Sequence, residues 1–185
     1  MINLIDSSKL VNYKSIRPAP WRSTHTLKPD LKVLSGSLGD IGWVSPLIVQ
    51  LSTGYIIDGF HRWVCAQTNK QILERDDGMV PVIFFDIDEI DSIVMHLRLN
   101  RGRGQIVTKL MSNAIRTIMF SRKYTEDELK DLLTITNSEM GVLVDGSVIK
   151  ERKIKEHVYS RAWVPIEAES PAGQPVLERP PNKDR

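Results

Sequence analysis

The chain has 185 residues, 41% hydrophobic and 26% charged, and its formal net charge is +2. This composition is typical of a globular protein with one domain-sized core and room for a small helical addition. No apolar run approaches the roughly 20 residues that span a bilayer, and the N-terminus lacks the regions of a signal peptide. With only one cysteine, Cys65, an internal disulfide is excluded. We therefore expect a cytoplasmic protein without a membrane partner.

The first part of the chain alternates short strands and helices. Residues 1–29 contain three prolines and predict extended or irregular chain after a short strand. A helix is predicted over 30–38, with Asp30 as its N-cap. Two β-rich runs, 46–50 and 55–57, predict a hairpin.

A second group of elements follows the hairpin. Residues 62–69 predict a helix, and Val80 to Phe85 is the strongest strand signal in the chain. Pro81 favours an edge strand or a strand start, because proline cannot donate to a neighbouring strand. Asp88 to Leu99 predicts a further helix.

The C-terminal part is predicted to be helical. From Ile106 to Met119 apolar residues recur at helical spacing and give a wide buried face. Thr125 and Glu128 have the spacing of a capping box that opens a second helix. After a short break, residues 138–144 predict a third helix. The second and third helices together have the outline of a helix-turn-helix, which many helical hairpins share.

Beyond these helices the chain becomes basic and then rich in proline. Lys150 to Arg161 predicts a last basic helix, and the residues after Glu167 predict disorder. We thus expect three parts: a mixed domain over 1–105, a helical region over 106–166 and a disordered tail over 167–185.

The most informative segment is 55–62, with the sequence YIIDGFHR. A strand that ends at glycine and opens a helix leaves N–H groups unpaired, and the helix dipole adds positive potential, so a phosphate suits this turn. We expect Arg62 to donate to phosphate oxygens from two of its guanidinium nitrogens, and His61 to donate a further hydrogen bond. Asp58 could hold a metal ion or accept a proton. A plain tight turn with a solvated Asp and a half-buried His has the same pattern.

A second pattern is a basic block without acids. Seven basic residues and no acidic one lie between Arg98 and Tyr124. Such a block could face nucleic-acid phosphates, or form a solvated helix face balanced by acidic neighbours. The residues expected to contact DNA are Arg101, Lys109, Arg116, Arg122, Lys123, Lys150, Lys153 and Lys155.

The order of elements and two motifs resemble the ParB/sulfiredoxin superfamily. Residues 44–49 are similar to the apolar segment that opens ParB N-terminal domains. Residues 55–62 lie where that family carries a Gly-Glu-Arg-Arg phosphate-binding box, and 99–103 lie where it carries Glu-Asn-x-x-Arg. The resemblance implies an α+β fold, with a mixed sheet, flanking helices and a helix-turn-helix-like region behind it. It also implies a set of nucleotide-binding residues, namely Gly59, His61, Arg62, Asn100 and Arg103.

The chain also departs from the ParB motifs. Phe60 and Leu99 stand where the two family glutamates lie, which puts CTP hydrolysis in doubt. Phe60 also takes the place of the sulfiredoxin catalytic cysteine. The Asp-Gly-x-His-Arg form is similar instead to the branch that includes a free-serine kinase. That likeness implies that Asp58 and His61 are catalytic and that Asp58 binds the metal.

Three functions are compatible with these features. The first is a ParB-like nucleotide-binding protein that engages DNA, in a phage- or plasmid-type regulatory or partition role. The second is a nucleotide-dependent phosphotransferase that uses Asp58, so activity as an NTPase or phosphotransferase stays open. A nuclease is least favoured, because no carboxylate cluster suits two-metal cleavage. The expected cofactors are a nucleoside tri- or diphosphate (ATP, ADP or CTP) and Mg²⁺, and a homodimer also stays open.

Overall fold

The computed structural model describes residues 8–101, 103 and 108–144. Its strands are β1 (Lys9–Asn12), β2 (Arg17–Pro18), β3 (Leu47–Gln50), β4 (Tyr55–Asp58) and β5 (Met79–Phe85). They form one mixed sheet in the order β1-β5-β3-β4-β2. The β1–β5 and β3–β4 pairs are antiparallel, and the β3–β5 and β2–β4 pairs are parallel. The expected mixed sheet and its hairpin are confirmed.

The helices flank this sheet and continue beyond it. They are α1 (Lys28–Asp40), α2 (Phe60–Thr68), α3 (Lys70–Arg75), α4 (Glu89–Arg101), α5 (Thr108–Ser121), α6 (Glu126–Leu133) and α7 (Asn137–Val144). Among the described helices, none is both long and apolar enough to cross a membrane.

The buried apolar residues form two clusters. One cluster lies between the sheet and the helices α1 to α3, and it includes Leu47, Val49 and Cys65. The other holds α5, α6 and α7 against α4, which contributes Ile93 and Leu97. Because α4 also contacts β4, this helix connects the sheet to the helical region.

The start of α1 differs from the prediction. The helix begins at Lys28, after an extended Leu27, and Pro29 lies in its first turn. Proline suits that position because its fixed φ is helical and its missing N–H would have no partner there. Asp30 is therefore not the N-cap; it lies in the first turn, where a negative charge is favourable beside the helix dipole.

Two features of the following segment were also not predicted. Helix α3 begins directly after α2, because the Asn69 side chain accepts hydrogen bonds from the N–H groups of Gln71 (2.9 Å) and Ile72 (3.4 Å). Strand β5 is an interior strand and not an edge. Pro81 is tolerated because it precedes Val82, the residue at which pairing with β3 begins.

The helical region agrees with its sequence pattern as far as it is described. The capping box of Thr125 and Glu128 is present. Helix α6 ends at Thr134, in the left-handed conformation with φ 53°, and α7 starts three residues later at Asn137. The predicted basic helix over 150–161 and the predicted tail from 167 lie outside the described residues.

Candidate functional site

The turn between β4 and α2 is built around Gly59. Its φ is +91°, and a Cβ atom there would lie 2.5 Å from Leu47 Cδ2, so only glycine fits. The N–H of Trp63 donates to the Gly59 carbonyl at 3.0 Å, which closes the first turn of α2. The N–H groups of the three residues before Trp63 therefore lie at the helix N-terminus without an intrahelical acceptor.

Asp58 lies at the end of β4 between two arginines. Its side chain is 7% exposed, with Oδ2 3.2 Å from Arg62 Nη2 and Oδ1 2.7 Å from Arg103 Nη1. Each carboxylate oxygen thus accepts from a guanidinium group, which offsets the charge that was predicted to hold a metal ion. The part of the chain that the structure describes contains no group of three or more His, Cys, Asp and Glu side chains suited to a metal.

Arg62 is held by the protein itself. Besides Asp58, its guanidinium donates from Nη1 to the Ser45 carbonyl and hydroxyl and to the Pro46 carbonyl at 3.0 Å. Burial lowers the pKa of Arg62, and Asp58 opposes that shift. The side chain therefore connects α2 to the segment that leads into β3. Its charged group remains beside the turn.

His96 is a buried residue that the sequence did not single out. Its Nε2 accepts from the N–H of Ser23 at 3.0 Å, and its Nδ1 lies 2.7 Å from the Ile57 carbonyl. The Ser23 bond requires an unprotonated Nε2, so Nδ1 carries the hydrogen and donates to Ile57. Burial lowers the pKa of His96, in agreement with a neutral ring. This imidazole ties the N-terminal segment to the residue before Asp58.

Asn100 lies one helical turn beyond His96 and is also buried. Its amide donates to the His96 carbonyl at 2.8 Å. The resemblance to ParB had predicted Asn100. His96, a polar residue four positions before it on the same helix, could have been identified from that spacing.

His61 is neutral under ordinary conditions. Its Nδ1 lies 3.0 Å from the Thr26 hydroxyl oxygen. Burial lowers the pKa of His61 to about 4, helped by the positive charges of Arg22 and His25 and opposed by Asp58. A group that is unprotonated but so weakly basic is a poor general base near neutral pH. It can still donate one ring N–H to an oxygen atom.

Arg22 is a second residue that sequence patterns missed. Its guanidinium carbon lies 3.6 Å from the centroid of the Phe60 ring, the geometry of a cation–π contact. Its Nε is buried without a hydrogen-bond partner among the described residues, and burial lowers the pKa of Arg22. By this contact, Phe60 holds a further positive charge beside the turn.

These residues surround a pocket of about 200 Å³. The structure brings all of the predicted nucleotide-binding and catalytic residues to its wall, namely Asp58, Gly59, His61, Arg62, Asn100 and Arg103. The pocket also includes the missed His96. Its charged side chains are one carboxylate and two guanidinium groups, so the pocket is net positive and suited to an anion.

Two of the residues predicted to contact DNA are engaged in ion pairs. Arg101 donates to both carboxylate oxygens of Glu139, at 2.8 and 2.9 Å. This contact raises the pKa of Arg101. Lys123 pairs with Asp88 and with Asp91. These bonds hold α4 against the neighbouring helices.

The other residues predicted to contact DNA have a different placement. Lys109, Arg116 and Arg122 are exposed on or just beyond α5. They have no ion-pair partner within the described ranges. Lys150, Lys153 and Lys155 lie outside those ranges.

Comparisons with known proteins bear on the fold through one solved structure. No protein-family model matches the chain. Over 162 residues it is 24% identical to the uncharacterised protein YbdM of Escherichia coli (strain K12), covering 86% of this chain and 77% of that protein. The Pnob8-like ParB N-domain has a TM-score of 0.55 at 14% identity, over 77% of this chain and 71% of that one. The C-terminally truncated ParB of Caulobacter crescentus, complexed with CTP-γ-S, has a TM-score of 0.43 at 18% identity, over 78% of this chain and 88% of that one.

The likeness to the Pnob8-like domain shows that this chain has a ParB N-domain-like fold. The resemblance of the sequence to ParB is confirmed at that level. The likeness of the Asp-Gly-x-His-Arg box to a serine-kinase branch stays a prediction.

The field around His61 can be tested by NMR titration. Arg22→Gln should raise the pKa of His61 above about 4, because it removes a positive charge that lowers it. Arg98→Gln, the same change at an exposed position of α4, should leave that pKa unchanged. An unaltered pKa of His61 in Arg22→Gln would contradict the assigned cause.

Since the folded-state pKa of His61 lies below the ordinary 6.5, the stability that depends on neutral His61 is complete above pH 6.5 and is lost as the pH falls towards 4.

Proposed function

We propose that the pocket at the start of α2 binds the phosphates of a nucleoside tri- or diphosphate and that the chain is a nucleotide-binding protein. The charge of the pocket carries this proposal. One buried carboxylate faces two guanidinium groups, and Arg22 adds a third positive charge whose field reaches His61. The helix N-terminus supplies N–H donors to the same point.

The size of the pocket indicates which end of the nucleotide it takes. At about 200 Å³ it is smaller than the roughly 300–1,000 Å³ that enclose a drug-sized ligand. The phosphoryl end fits inside, and the nucleoside then lies outside the pocket. We therefore propose that the base contributes little to affinity and that ATP, ADP and CTP are all ligands. Mg²⁺ would arrive with the phosphates.

Asp58 decides between binding and phosphoryl transfer. To bind Mg²⁺ or to accept a proton, its carboxylate must exchange a guanidinium partner, and a hydrogen bond to a charged group contributes about 1.5–3 kcal/mol. His61, with a pKa of about 4, adds no effective base. These properties favour a binding protein, and the phosphotransferase of the serine-kinase type is the alternative.

The nucleotide proposal predicts a loss of affinity at Arg103. This side chain is 51% exposed and its guanidinium bonds only to Asp58 among the described residues. Arg103→Gln therefore removes the ligand contact while Asp58 stays paired with Arg62. Arg62 is less suitable because it also supports the segment before β3. We expect Arg103→Gln to weaken ATP and CTP by about 1.5–3 kcal/mol in calorimetric titrations.

The controls for this measurement are a variant and a competitor. Arg98→Gln makes the same charge change on α4 away from the pocket and should keep full affinity. Inorganic pyrophosphate should displace every nucleotide, because the pocket takes the phosphoryl end. Nucleotide binding that pyrophosphate cannot displace would place the ligand elsewhere.

Asp58→Asn separates the two functions. In a binding protein, wild type consumes no nucleotide, and the variant binds nucleotide more tightly because the pocket loses the one carboxylate that its described residues supply. In a phosphotransferase, wild type turns nucleotide over and Asp58→Asn abolishes turnover while binding persists. Calorimetry and a coupled assay for ADP release give both readouts. Turnover that survives Asp58→Asn contradicts both functions as assigned to this residue.

A second function, the engagement of nucleic acid, is favoured by α5. Its outer face presents Lys109 and Arg116, seven residues apart and so on one side of the helix. Arg122 follows at the helix end. We propose that these cations contact phosphates. Helix α7 exposes no Arg or Lys, and the Asn137 side chain accepts from Lys130 at 2.8 Å, so readout of base edges by this helix is not favoured. Nucleotide and DNA binding in one chain would suit a regulatory or partition protein.

Salt dependence tests this contact. Changing Lys109, Arg116 and Arg122 together to Gln should lower the log–log salt slope of duplex binding by about 0.9 per lost phosphate contact, equally on unrelated sequences. Changing Lys9, Lys32 and Lys70 to Gln, all exposed and distant from α5, alters the charge equally and should leave the slope unchanged. Equal losses in both triple variants would show that only net charge matters.

A further inference from the structure

Phe120 is exposed where an aromatic side chain is usually buried. It lies near the C-terminal end of α5 and is 91% exposed. The opposite face of α5 is fully used, with Met111, Ile115 and Ile118 in the helical core. Phe120 therefore does not complete that core, and its ring is free on both sides among the described residues.

The surroundings of Phe120 are cationic. It borders a shallow hollow together with Arg116, Met119, Arg122 and Val144. The one hydrogen bond of the Arg116 guanidinium within the described ranges joins its Nη2 to Ser112 Oγ at 3.2 Å. Phe120 follows Arg116 by four residues and so lies on the same side of α5. An exposed ring that borders the same hollow as two arginines, on a helix without acidic residues, is complementary to a group that is flat and negatively charged.

We propose that this surface binds single-stranded nucleic acid, with an unpaired base stacked on Phe120 and the adjacent phosphates on Arg116 and Arg122. The proposal rests on the nucleic-acid function proposed above and specifies its substrate. A protruding ring can stack only on a base that has left its neighbours, and the bases of an intact duplex are already stacked. The apolar part of the hollow consists of Phe120, Met119 and Val144. Three side chains offer far less surface than the roughly 1,200 Å² that a stable protein–protein interface buries.

Fluorescence anisotropy with a labelled 20-nucleotide strand and its duplex tests the proposal. Phe120→Ala should weaken single-strand binding about 5-fold to 100-fold, the range that stacking on one aromatic side chain supports. Duplex binding should change less than about 2-fold, since it depends on phosphate contacts. Phe120→Trp should keep single-strand affinity, and its added indole fluorescence should be quenched by the strand. Phe120→Leu retains the apolar bulk without a π face and should behave as Phe120→Ala.

Four results would overturn the stacking proposal. The first is an unchanged single-strand affinity in Phe120→Ala, together with weaker duplex binding in the triple variant at Lys109, Arg116 and Arg122. The nucleic-acid function then stands without stacking. The second is full affinity in Phe120→Leu, which indicates apolar contact. The third is a lower Tm in Phe120→Ala, or loss of a dimer in light scattering, which assigns the ring to protein contacts. The fourth is no binding of either nucleic acid by wild type, which removes both proposals.

Discussion

The pairing of Asp58 with two guanidinium groups is the constraint on which the pocket depends. A carboxylate that is nearly buried must be paired, and leaving it without a cationic partner costs roughly 3–5 kcal/mol. The pairing fixes Arg62, which in turn holds the Ser45 and Pro46 carbonyls beside α2. It also brings Arg103, 45 residues along the chain, to the same point. One charge thus joins the end of β4, the segment before β3 and the end of α4.

The chemistry of the pocket follows from this neutralisation and from two neutral histidines. His96 is buried and positions the N-terminal segment through its hydrogen bond with Ser23. His61 is too weak a base to accept a proton near neutral pH. The cationic groups are held in place before any ligand arrives, so little ordering is needed on binding. Such a site attracts an anion more readily than it transforms one, and for that reason we favour nucleotide binding over phosphoryl transfer.

The sequence predicted those features that depend on neighbours within one or two turns. The glycine turn after β4, the capping box at Thr125 and the apolar face of α5 are of this kind. The fold and the residues of the pocket wall were predicted instead from the resemblance to the ParB/sulfiredoxin superfamily. The Ser23–His96 bond spans 73 residues and leaves no local pattern. For the same reason the sequence did not show which residues of the basic block pair with acids: Arg101 pairs with Glu139, 38 residues away, and Lys123 pairs with acids on and before α4. Spacing along the chain cannot show which charges meet in space.

The end of α4 has contacts in two directions. Asn100 and Arg103 line the pocket. Arg101, between them in sequence, donates instead to Glu139 of α7 and to the carbonyl of Thr134, the residue after α6. A ligand that draws Arg103 away from Asp58 pulls on the same short stretch of backbone that anchors the helical pair. Thermodynamic reciprocity then applies: whatever free energy couples an occupied pocket to the position of α6 and α7 must also couple any partner of those helices back to the pocket, by the same factor. The single stretch of chain from Asn100 to Arg103 would then link the two surfaces.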